Sequence, residues 1–323
     1  MATWILTHGD ADGVCSGAIA LAANPEAHVY FTHPSGLLED LGVVELGDEV
    51  IICDIALPDD VDGLLKRLTA LAEEGHVTYI DHHPLPPSLD PARIPGEFVH
   101  NVEVCASELT YVHFRESIPR DMERVAIYGA IGDYADDTPY IQRLLQDWDR
   151  RVLYFETGIL LQALDAIGRN YERKRGIVWL LSENAPPSSD EELVKLALKQ
   201  SRRDEELRLR VRREVKVMGD VAYVLDLGGS AGKAAVYARA SAGTLVGLAG
   251  ETREEKGVID MSLRALEGVD LNIILRELAP KFGGSGGGHP VAAGARIPRE
   301  KFMDFLRALS EAIKRQTAAE TLT

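Results

Sequence analysis

Residues 78–84, TYIDHHP, place one carboxylate and two imidazoles directly after an apolar run. At the end of a buried strand such side chains lose hydration free energy unless a partner compensates for the loss. The same kinds of side chain follow an apolar segment at four places in all, formed by His8, Asp10 and Asp12; by Asp54; by Asp81, His82 and His83; and by Asp133. The repetition of this arrangement favours one shared site over four unrelated polar positions.

Divalent metal would explain why so many carboxylates are brought together. Without cations they would repel one another, and some would be forced into the neutral form. A mixture of imidazole and carboxylate suits Mn²⁺, and also Fe²⁺, Co²⁺ or Zn²⁺. Two ions that share one carboxylate would clamp the attacking and leaving oxygens of a phosphoester displacement. Taken singly, Asp54 and Asp133 are equally compatible with helix capping, and His8 with an ordinary polar position.

The elements that must position these residues alternate between strand and helix. Apolar runs at residues 3–8, 28–33, 49–55 and 76–80 predict strands, and helical patterns separate them. Strands that alternate with helices predict an α/β protein with a doubly wound parallel sheet, whose functional crevice lies at the carboxyl ends of the strands. If the backbone is extended, the two-residue spacing of His8, Asp10 and Asp12 lets all three face one site, whereas a tight loop, for which Gly9 and Gly13 leave room, would change this arrangement.

The rest of the chain predicts a helical stretch and a second, smaller α/β domain. Residues 105–180 have mainly helical spacing, and a polar, proline-bearing break at 182–192 leads into a long charged helix. Strands are predicted to return after it, among them KAAVYARA at 233–240. Within the charged helix, residues 202–216 are rich in arginine, which favours a solvated helix with ion pairs over a surface that guides single strands.

Composition limits the classes of function. The chain has 323 residues and a net charge of −16, which argues against a broad surface that coats nucleic acid but leaves room for a local basic groove. No apolar run is long enough for a membrane span, and the N-terminus lacks the pattern of a signal peptide, so a cytoplasmic protein is expected. Three scattered cysteines predict small buried residues and no disulfide framework.

Five segments resemble the motifs of a known family. HGDADGVCSG, CDIAL, DHHP and GAIGDYADD resemble the four motifs of the DHH phosphoesterases, and GGSGGGHPVAAG resembles the signature of their DHHA1 subfamily. The resemblance covers about residues 1–140 and 218–315. It implies a metal-binding DHH domain at 1–181, a helical linker at 182–217 and a substrate-binding DHHA1 domain at 218–323.

The resemblance also implies roles for individual residues. One metal would be held by His8, Asp10 and Asp54, and the other by Asp12, Asp54, His82 and Asp133. Asp81 would orient an imidazole, as ligand histidines usually require, and His83 would lie near the scissile phosphate. Arg264 and His289 would contact phosphate, and the backbone N–H groups of Gly286, Gly287 and Gly288 would approach the substrate. From the sequence alone, this glycine tract is equally compatible with a flexible linker.

Among relatives, the compact layout resembles the short archaeal RecJ-like nucleases of the Hef-associated type. That resemblance implies a two-metal Mn²⁺ enzyme, with Mg²⁺ or Co²⁺ as substitutes, that degrades single-stranded DNA or RNA in DNA repair or replication. It would act as a 3′–5′ exonuclease and release nucleoside monophosphates. The alternative is a nano-oligonucleotide hydrolase or a 3′,5′-bisphosphate nucleotide phosphatase, which the acidic net charge favours. The expected partners are single strands or short oligonucleotides and no membrane, and a repair or replication protein and a second copy of the chain are left open.

Overall fold

The structure is a computed structural model that describes residues 1–58, 60–87 and 89–320. The chain forms two compact units, the first covering residues 1–200 and the second beginning at Ser201. The boundary falls within a helix, Glu191–Glu214, that lies inside the predicted linker. The predicted domain bounds therefore stay a prediction, and the final residues of the third range, 321–323, lie outside the described residues.

The first unit is built on a parallel sheet of five strands, as predicted. The strands are β1 (Thr3–Thr7), β2 (His28–Phe31), β3 (Glu49–Cys53), β4 (His76–Asp81) and β5 (Glu97–His100). Their order across the sheet is β2-β1-β3-β4-β5, and every neighbouring pair is parallel. The first four were predicted, whereas β5, a four-residue edge strand, was not.

Helices cover both faces of this sheet. They are α1 (Ala11–Ala23), α2 (Leu37–Asp40), α3 (Asp62–Glu74), α4 (Ala106–Phe114), α5 (Glu123–Gly132), α6 (Pro139–Leu144), α7 (Arg150–Ile167), α8 (Tyr171–Ser182) and α9 (Glu191–Glu214). Ile5 and Leu6 are neighbours on β1, and both are fully buried, but they belong to two different apolar cores. Because successive strand residues point to opposite faces, the sheet is buried on both sides and is doubly wound.

The second unit contains a mixed sheet of six strands. They are β6 (Lys216–Met218), β7 (Val221–Leu225), β8 (Val246–Arg253), β9 (Val258–Ala265), β10 (Ser285–Gly288) and β11 (Ala292–Pro298). The order is β10-β11-β9-β8-β7-β6; β7 and β8 are parallel, and the other neighbouring pairs are antiparallel. Its helices are α10 (Ala231–Ala242), α11 (Leu271–Lys281) and α12 (Phe302–Glu320). The predicted smaller α/β domain is thereby confirmed.

One predicted strand of this unit is wrong. Residues 233–240 lie within α10, which begins after Ser230, a cap whose side chain accepts a hydrogen bond from a backbone N–H, and ends at Gly243 in the left-handed region. Ala234 and Ala238 are buried one helical turn apart. Alanine is the strongest helix former, so propensity and capping together outweigh the short apolar run that suggested a strand.

The charged helix α9 supports the interpretation as an ion-paired helix. Arg208 forms a salt bridge with Glu205 at 2.7 Å, one turn away, while Leu207 and Val211 are buried in an apolar core of the second unit. None of the helices in the described part of the chain is both long and apolar enough to cross a membrane.

Candidate metal centre

The loop that follows β1, together with the first turn of α1, carries the first three acidic or imidazole side chains. Asp10 caps α1, and its side chain accepts a hydrogen bond from the backbone N–H of Gly13 at 3.0 Å. Because α1 begins at Ala11, Asp12 lies in the first helical turn, so of the two arrangements left open for His8, Asp10 and Asp12 the structure has the turn and not the extended run. A Cβ atom at Gly13 would lie 2.4 Å from the carbonyl oxygen of His8, so the tight turn requires glycine there.

Asp54 and the two histidines come directly after the neighbouring strands β3 and β4. Asp54 has a φ of 59°, a left-handed conformation that aspartate and asparagine tolerate better than most residues. Its backbone N–H donates to the carbonyl of Ile80 at 3.0 Å, so the turn after β3 is tied to β4. Since β1, β3 and β4 are adjacent and parallel, their carboxyl ends bring His8, Asp54 and His82 to one edge of the sheet.

His8, Asp10 and Asp54 form the first cluster. Nδ1 of His8 lies 2.9 Å from a carboxylate oxygen of Asp10 and 3.7 Å from Oδ2 of Asp54. One ligand atom from each of the three lies within 4.8 Å of the others. This is the set that the family resemblance assigned to one metal ion.

His82 is the centre of the second cluster. Its Nε2 atom lies 3.4 Å from Oδ1 of Asp54 and 3.9 Å from Oδ2 of Asp12, and its Nδ1 atom lies 3.7 Å from Oδ2 of Asp133. Ligand atoms of Asp12, His82 and Asp133 also lie within 4.8 Å of one another. Asp54 lies close to histidines of both clusters, and its position between two metal ions stays a prediction.

Asp133 differs from the other members in the element that carries it. It follows helix α5, and its backbone N–H donates to the carbonyl of Gly129 at 2.9 Å. At three of the four places the acidic or imidazole side chains follow a strand. At the fourth place, Asp133 follows the C-terminal end of a helix.

Asp81 and His83 form a pair beside the clusters. Oδ1 of Asp81 lies 2.8 Å from Nδ1 of His83, and its other oxygen accepts a hydrogen bond from the backbone N–H of His83 at 3.3 Å. Asp81 is fully buried, whereas the His83 side chain is about one quarter exposed. The same His83 nitrogen lies 3.9 Å from Asp54, so the imidazole that Asp81 orients borders the clusters.

The electrostatics show a surplus of negative charge. Burial raises the pKa of Asp54 well above its usual range, and the negative charges of Asp10 and Asp12 add to the shift. Burial, followed by the charges of Asp12 and Asp10, raises the pKa of Asp133 to about 8. Burial lowers the pKa of His82, which keeps the imidazole neutral, as metal ligation requires.

A buried atom without a partner indicates how the cluster is completed. Oδ2 of Asp54 is buried and accepts no hydrogen bond from the described residues. An unpaired buried carboxylate oxygen is costly, and a cation at this position would satisfy it. The donor set of imidazole nitrogen and carboxylate oxygen fits a divalent ion such as Mn²⁺. The residues present therefore fit the predicted metal.

Sequence reasoning missed the N-terminus of α4, which anchors Asp12. The two carboxylate oxygens of Asp12 accept hydrogen bonds from the backbone N–H groups of Ala106 at 2.7 Å and Ser107 at 2.9 Å. These hydrogen bonds from the start of α4 fix the orientation of Asp12, and they oppose the rise that burial causes in its pKa. The contact joins positions 94 and 95 residues apart, and no local pattern signals it.

Lys174 was missed for the same reason. This buried lysine on α8 donates a hydrogen bond to the carbonyl oxygen of Gly9, the residue between His8 and Asp10. Burial lowers the pKa of Lys174, and the charge of Asp10 opposes that shift. Lys174 therefore holds the loop that presents two members of the first cluster.

The second unit contains the residues predicted to bind the substrate. The guanidinium of Arg264, on β9, lies over the start of α10, where a Cβ atom at Gly232 would come within 2.7 Å of it. Gly286, Gly287 and Gly288 are part of β10 and pair with β11, so the tract is a strand and not a flexible linker. His289 begins the turn that joins these two strands, and its backbone N–H donates to the carbonyl of Ala292 at 2.9 Å.

A comparison with family models identifies a known domain in the second unit. The model of the DHHA1 domain matches residues 215–315, which include the glycine tract, Arg264 and His289. The second unit therefore contains a DHHA1 domain. No curated protein sequence matches it.

Several solved structures share the fold of this chain. The pGpG-specific phosphodiesterase PggH of Vibrio cholerae is 15% identical, with a TM-score of 0.63 over 98% of this chain and 100% of that one. RecJ of Thermus thermophilus, in complex with Mn²⁺, is 18% identical, with a TM-score of 0.68 over 97% of this chain. The match covers 52% of that RecJ, so the present chain spans about half its length. An exonuclease RecJ bound to manganese is 17% identical, with a TM-score of 0.65 over 97% of this chain and 90% of that one.

The candidate metal centre depends on a glycine that is not one of its proposed ligands. A Cβ atom at Gly129 of α5 would lie 2.2 Å from Oγ of Ser107 and 2.9 Å from Oδ1 of Asp12. Gly129→Ala is therefore expected to displace Asp12 and to weaken Mn²⁺ binding about tenfold, as measured by calorimetry. Gly158→Ala is the matched control, because no atom lies within 4 Å of the added methyl group in helix α7. Equal Mn²⁺ affinities for the two variants would contradict the expected crowding.

Proposed function

We propose that this protein is a metal-dependent phosphodiesterase that removes nucleotides from an end of single-stranded DNA or RNA. The observation that carries the proposal is the convergence of His8, Asp10, Asp12, Asp54, His82 and Asp133 around a buried Asp54 oxygen with no donor among the described residues. The DHHA1 domain at residues 215–315 supports this proposal. The proposed ions are two Mn²⁺, for which Mg²⁺ or Co²⁺ would substitute.

Different residues of the chain would have different roles in the reaction. The six side chains would hold the two ions, with Asp54 between them. When bound, divalent ions lower the pKa of a water molecule and offset the negative charge of phosphate oxygens. His83, fixed by its hydrogen bond with Asp81, would donate a hydrogen bond to the scissile phosphate. Lys174 and the N-terminus of α4 keep Asp10 and Asp12 oriented while the substrate binds.

Within the DHHA1 unit, the substrate would be bound by its phosphate groups. Arg264 has the planar guanidinium that suits phosphate oxygens, and His289 adds a second donor. Gly286, Gly287 and Gly288 have no side chains, so a phosphate could approach the backbone of this strand closely, although the N–H of Gly288 already donates to Oδ1 of Asn272 at 3.1 Å. Recognition of a terminal phosphate is the property that would restrict cleavage to chain ends.

The length of the substrate separates the leading proposal from its alternative. RecJ is an exonuclease and PggH is specific for pGpG, and both share this fold. We favour a nuclease for longer strands, with 3′–5′ polarity, nucleoside monophosphate products and a role in repair or replication. The acidic net charge of −16 favours the alternative, a hydrolase for nano-oligonucleotides or 3′,5′-bisphosphate nucleotides.

Digestion of end-labelled strands tests the proposal. Strands of two and of twenty nucleotides, as DNA and as RNA, are labelled separately at each end and incubated with Mn²⁺. We expect both lengths to be degraded, with mononucleotides released first from the 3′ end, and a chelator to stop the reaction. Cleavage restricted to the dinucleotide would instead establish the alternative. Equal rates on circular and linear single strands would rule out end recognition, and no Mn²⁺-dependent cleavage of any strand would overturn both.

A further inference from the structure

A cavity lies beside the metal centre on the β2 side of the first unit. Its volume is about 980 Å³, and His8 forms part of its wall. The remaining wall comes from the end of β2, the loop after it, and the start of α8. Small-molecule sites in proteins typically have volumes of about 300–1,000 Å³, so the cavity is large enough for a ligand of nucleotide size.

One wall of the cavity is aromatic. Tyr30, Phe31 and Tyr171 line it, and the rings of Phe31 and Tyr171 stack with centroids 5.5 Å apart and planes 16° apart. Phe31 is buried and supports Tyr171 from the core side. Nucleic acid bases stack on rigid aromatic rings of this kind with little dependence on base identity.

Of the carboxylate and guanidinium groups in the wall, Asp40 and Arg175 already have polar partners within the protein. Asp40 accepts hydrogen bonds from the hydroxyls of Thr32 at 2.6 Å and Tyr30 at 3.2 Å. Arg175 pairs with Glu172. Arg169 is exposed at the cavity, and no carboxylate among the described residues pairs with it. A guanidinium without an internal partner at a cavity is suited to bind an anion.

We propose that this cavity binds one nucleoside monophosphate unit of the substrate strand, next to the phosphodiester that reacts at the metal centre. The base would lie against the aromatic wall at Tyr171, and Arg169 would pair with the phosphate of the unit. The inference rests on the proposed function for its substrate class. Apart from His8, the residues that line this cavity are neither proposed metal ligands nor DHHA1 residues. The cavity would therefore be a separate site for substrate specificity, formed mainly by the ends of β2 and α8.

Calorimetry with adenosine 5′-monophosphate and the Mn²⁺-loaded protein tests the site. We expect Arg169→Ala to raise the Kd about tenfold, and Arg169→Glu to raise it further because it places a negative charge beside the phosphate. Arg115→Ala removes another exposed arginine of the same unit and is expected to leave the Kd unchanged. Ribose 5-phosphate, which lacks the base, is expected to bind about tenfold more weakly than the complete nucleotide.

Three outcomes would overturn the inference: no binding of the nucleotide to the wild-type protein, equal Kd values for wild type and both Arg169 variants, or equal Kd values for nucleotide and ribose 5-phosphate. Because Arg169 lies in an exposed loop, its substitution is not expected to prevent folding. Hydrolysis of bis(p-nitrophenyl) phosphate by the same preparation reports on the metal centre. If that hydrolysis is absent, the proposed function is wrong. The effect of the Arg169 substitutions on nucleotide binding would still test whether the cavity binds a nucleotide.

Discussion

Replacing Asp54 by asparagine is expected to lower kcat/KM for Mn²⁺-dependent diester hydrolysis about 10³-fold, equivalent to about 4 kcal/mol of transition-state stabilisation. The reason is that Asp54 contacts histidines of both clusters, at 3.4 Å from His82 and 3.7 Å from His8. Asparagine has nearly the same shape and tolerates the left-handed backbone at this position, so the loss would come from the missing charge. Activity is measured with bis(p-nitrophenyl) phosphate and with a dinucleotide.

The same substitution is expected to stabilise the metal-free protein. Asp54 is buried close to other carboxylates, and a neutral amide removes that repulsion. For a domain of this size, each 1 kcal/mol gained raises Tm by about 2–4 °C. Thermal melting with and without Mn²⁺ therefore separates the two effects: Tm of the metal-free variant rises, and the increase in Tm on adding Mn²⁺ is lost.

Asp137→Asn is the matched control for Asp54→Asn. Asp137 is an exposed carboxylate only four positions from Asp133, and it belongs to neither cluster. Its substitution is expected to change neither kcat/KM nor the response to Mn²⁺. An Asp54→Asn variant with wild-type activity, or one that Mn²⁺ stabilises as strongly as wild type, would refute the bridging role.

The second large effect is expected at the pair formed by Asp81 and His83. Asp81→Asn and His83→Ala should each lower kcat/KM about 10²-fold, because Asp81 orients the imidazole that borders the clusters. If Asp81 acts through His83, the double variant should be no slower than His83→Ala alone. His76→Ala, at the exposed start of the same strand, is the control and is expected to keep full activity.

The double-mutant cycle distinguishes orientation from independent contributions. Losses that multiply to about 10⁴-fold would show that Asp81 and His83 contribute separately. Thermal melting of each variant identifies losses caused by unfolding, which matters because Asp81 is fully buried. A variant that melts like wild type but is slower has lost function rather than fold.

Local sequence patterns were sufficient to predict four of the five strands of the first sheet and the edge at which most of the acids and histidines lie. Parallel strands end at a common edge, so acids and histidines after β1, β3 and β4 had to converge once the strands were identified. Asp133 follows a segment with helical spacing, and the structure confirms a helix there, α5, which ends directly before it. Of the two arrangements left open for Asp12, the extended one is not formed because Asp10 caps a helix that already starts at Ala11.

What the sequence did not predict depends on contacts between distant segments. The hydrogen bonds from α4 to Asp12 and from Lys174 to Gly9 join positions that are 94 to 165 residues apart. The small apolar residues of 233–240 also fit a short strand, so this segment does not by itself indicate a helix. The capping residues at both ends of α10 favour the helix that the structure has. The cavity beside His8 is likewise formed by β2 and α8 together, which no single segment indicates.

Two glycines lie so close to the proposed ligands that a side chain at either position would displace them. This matters when distant homologues are annotated. A side chain at Gly13 would meet the carbonyl of His8, and one at Gly129 would meet Asp12. A homologue could thus keep every acidic and imidazole position and still be a pseudoenzyme if a larger residue replaced either glycine. Searches for active members should therefore score these two positions as strictly as the coordinating side chains.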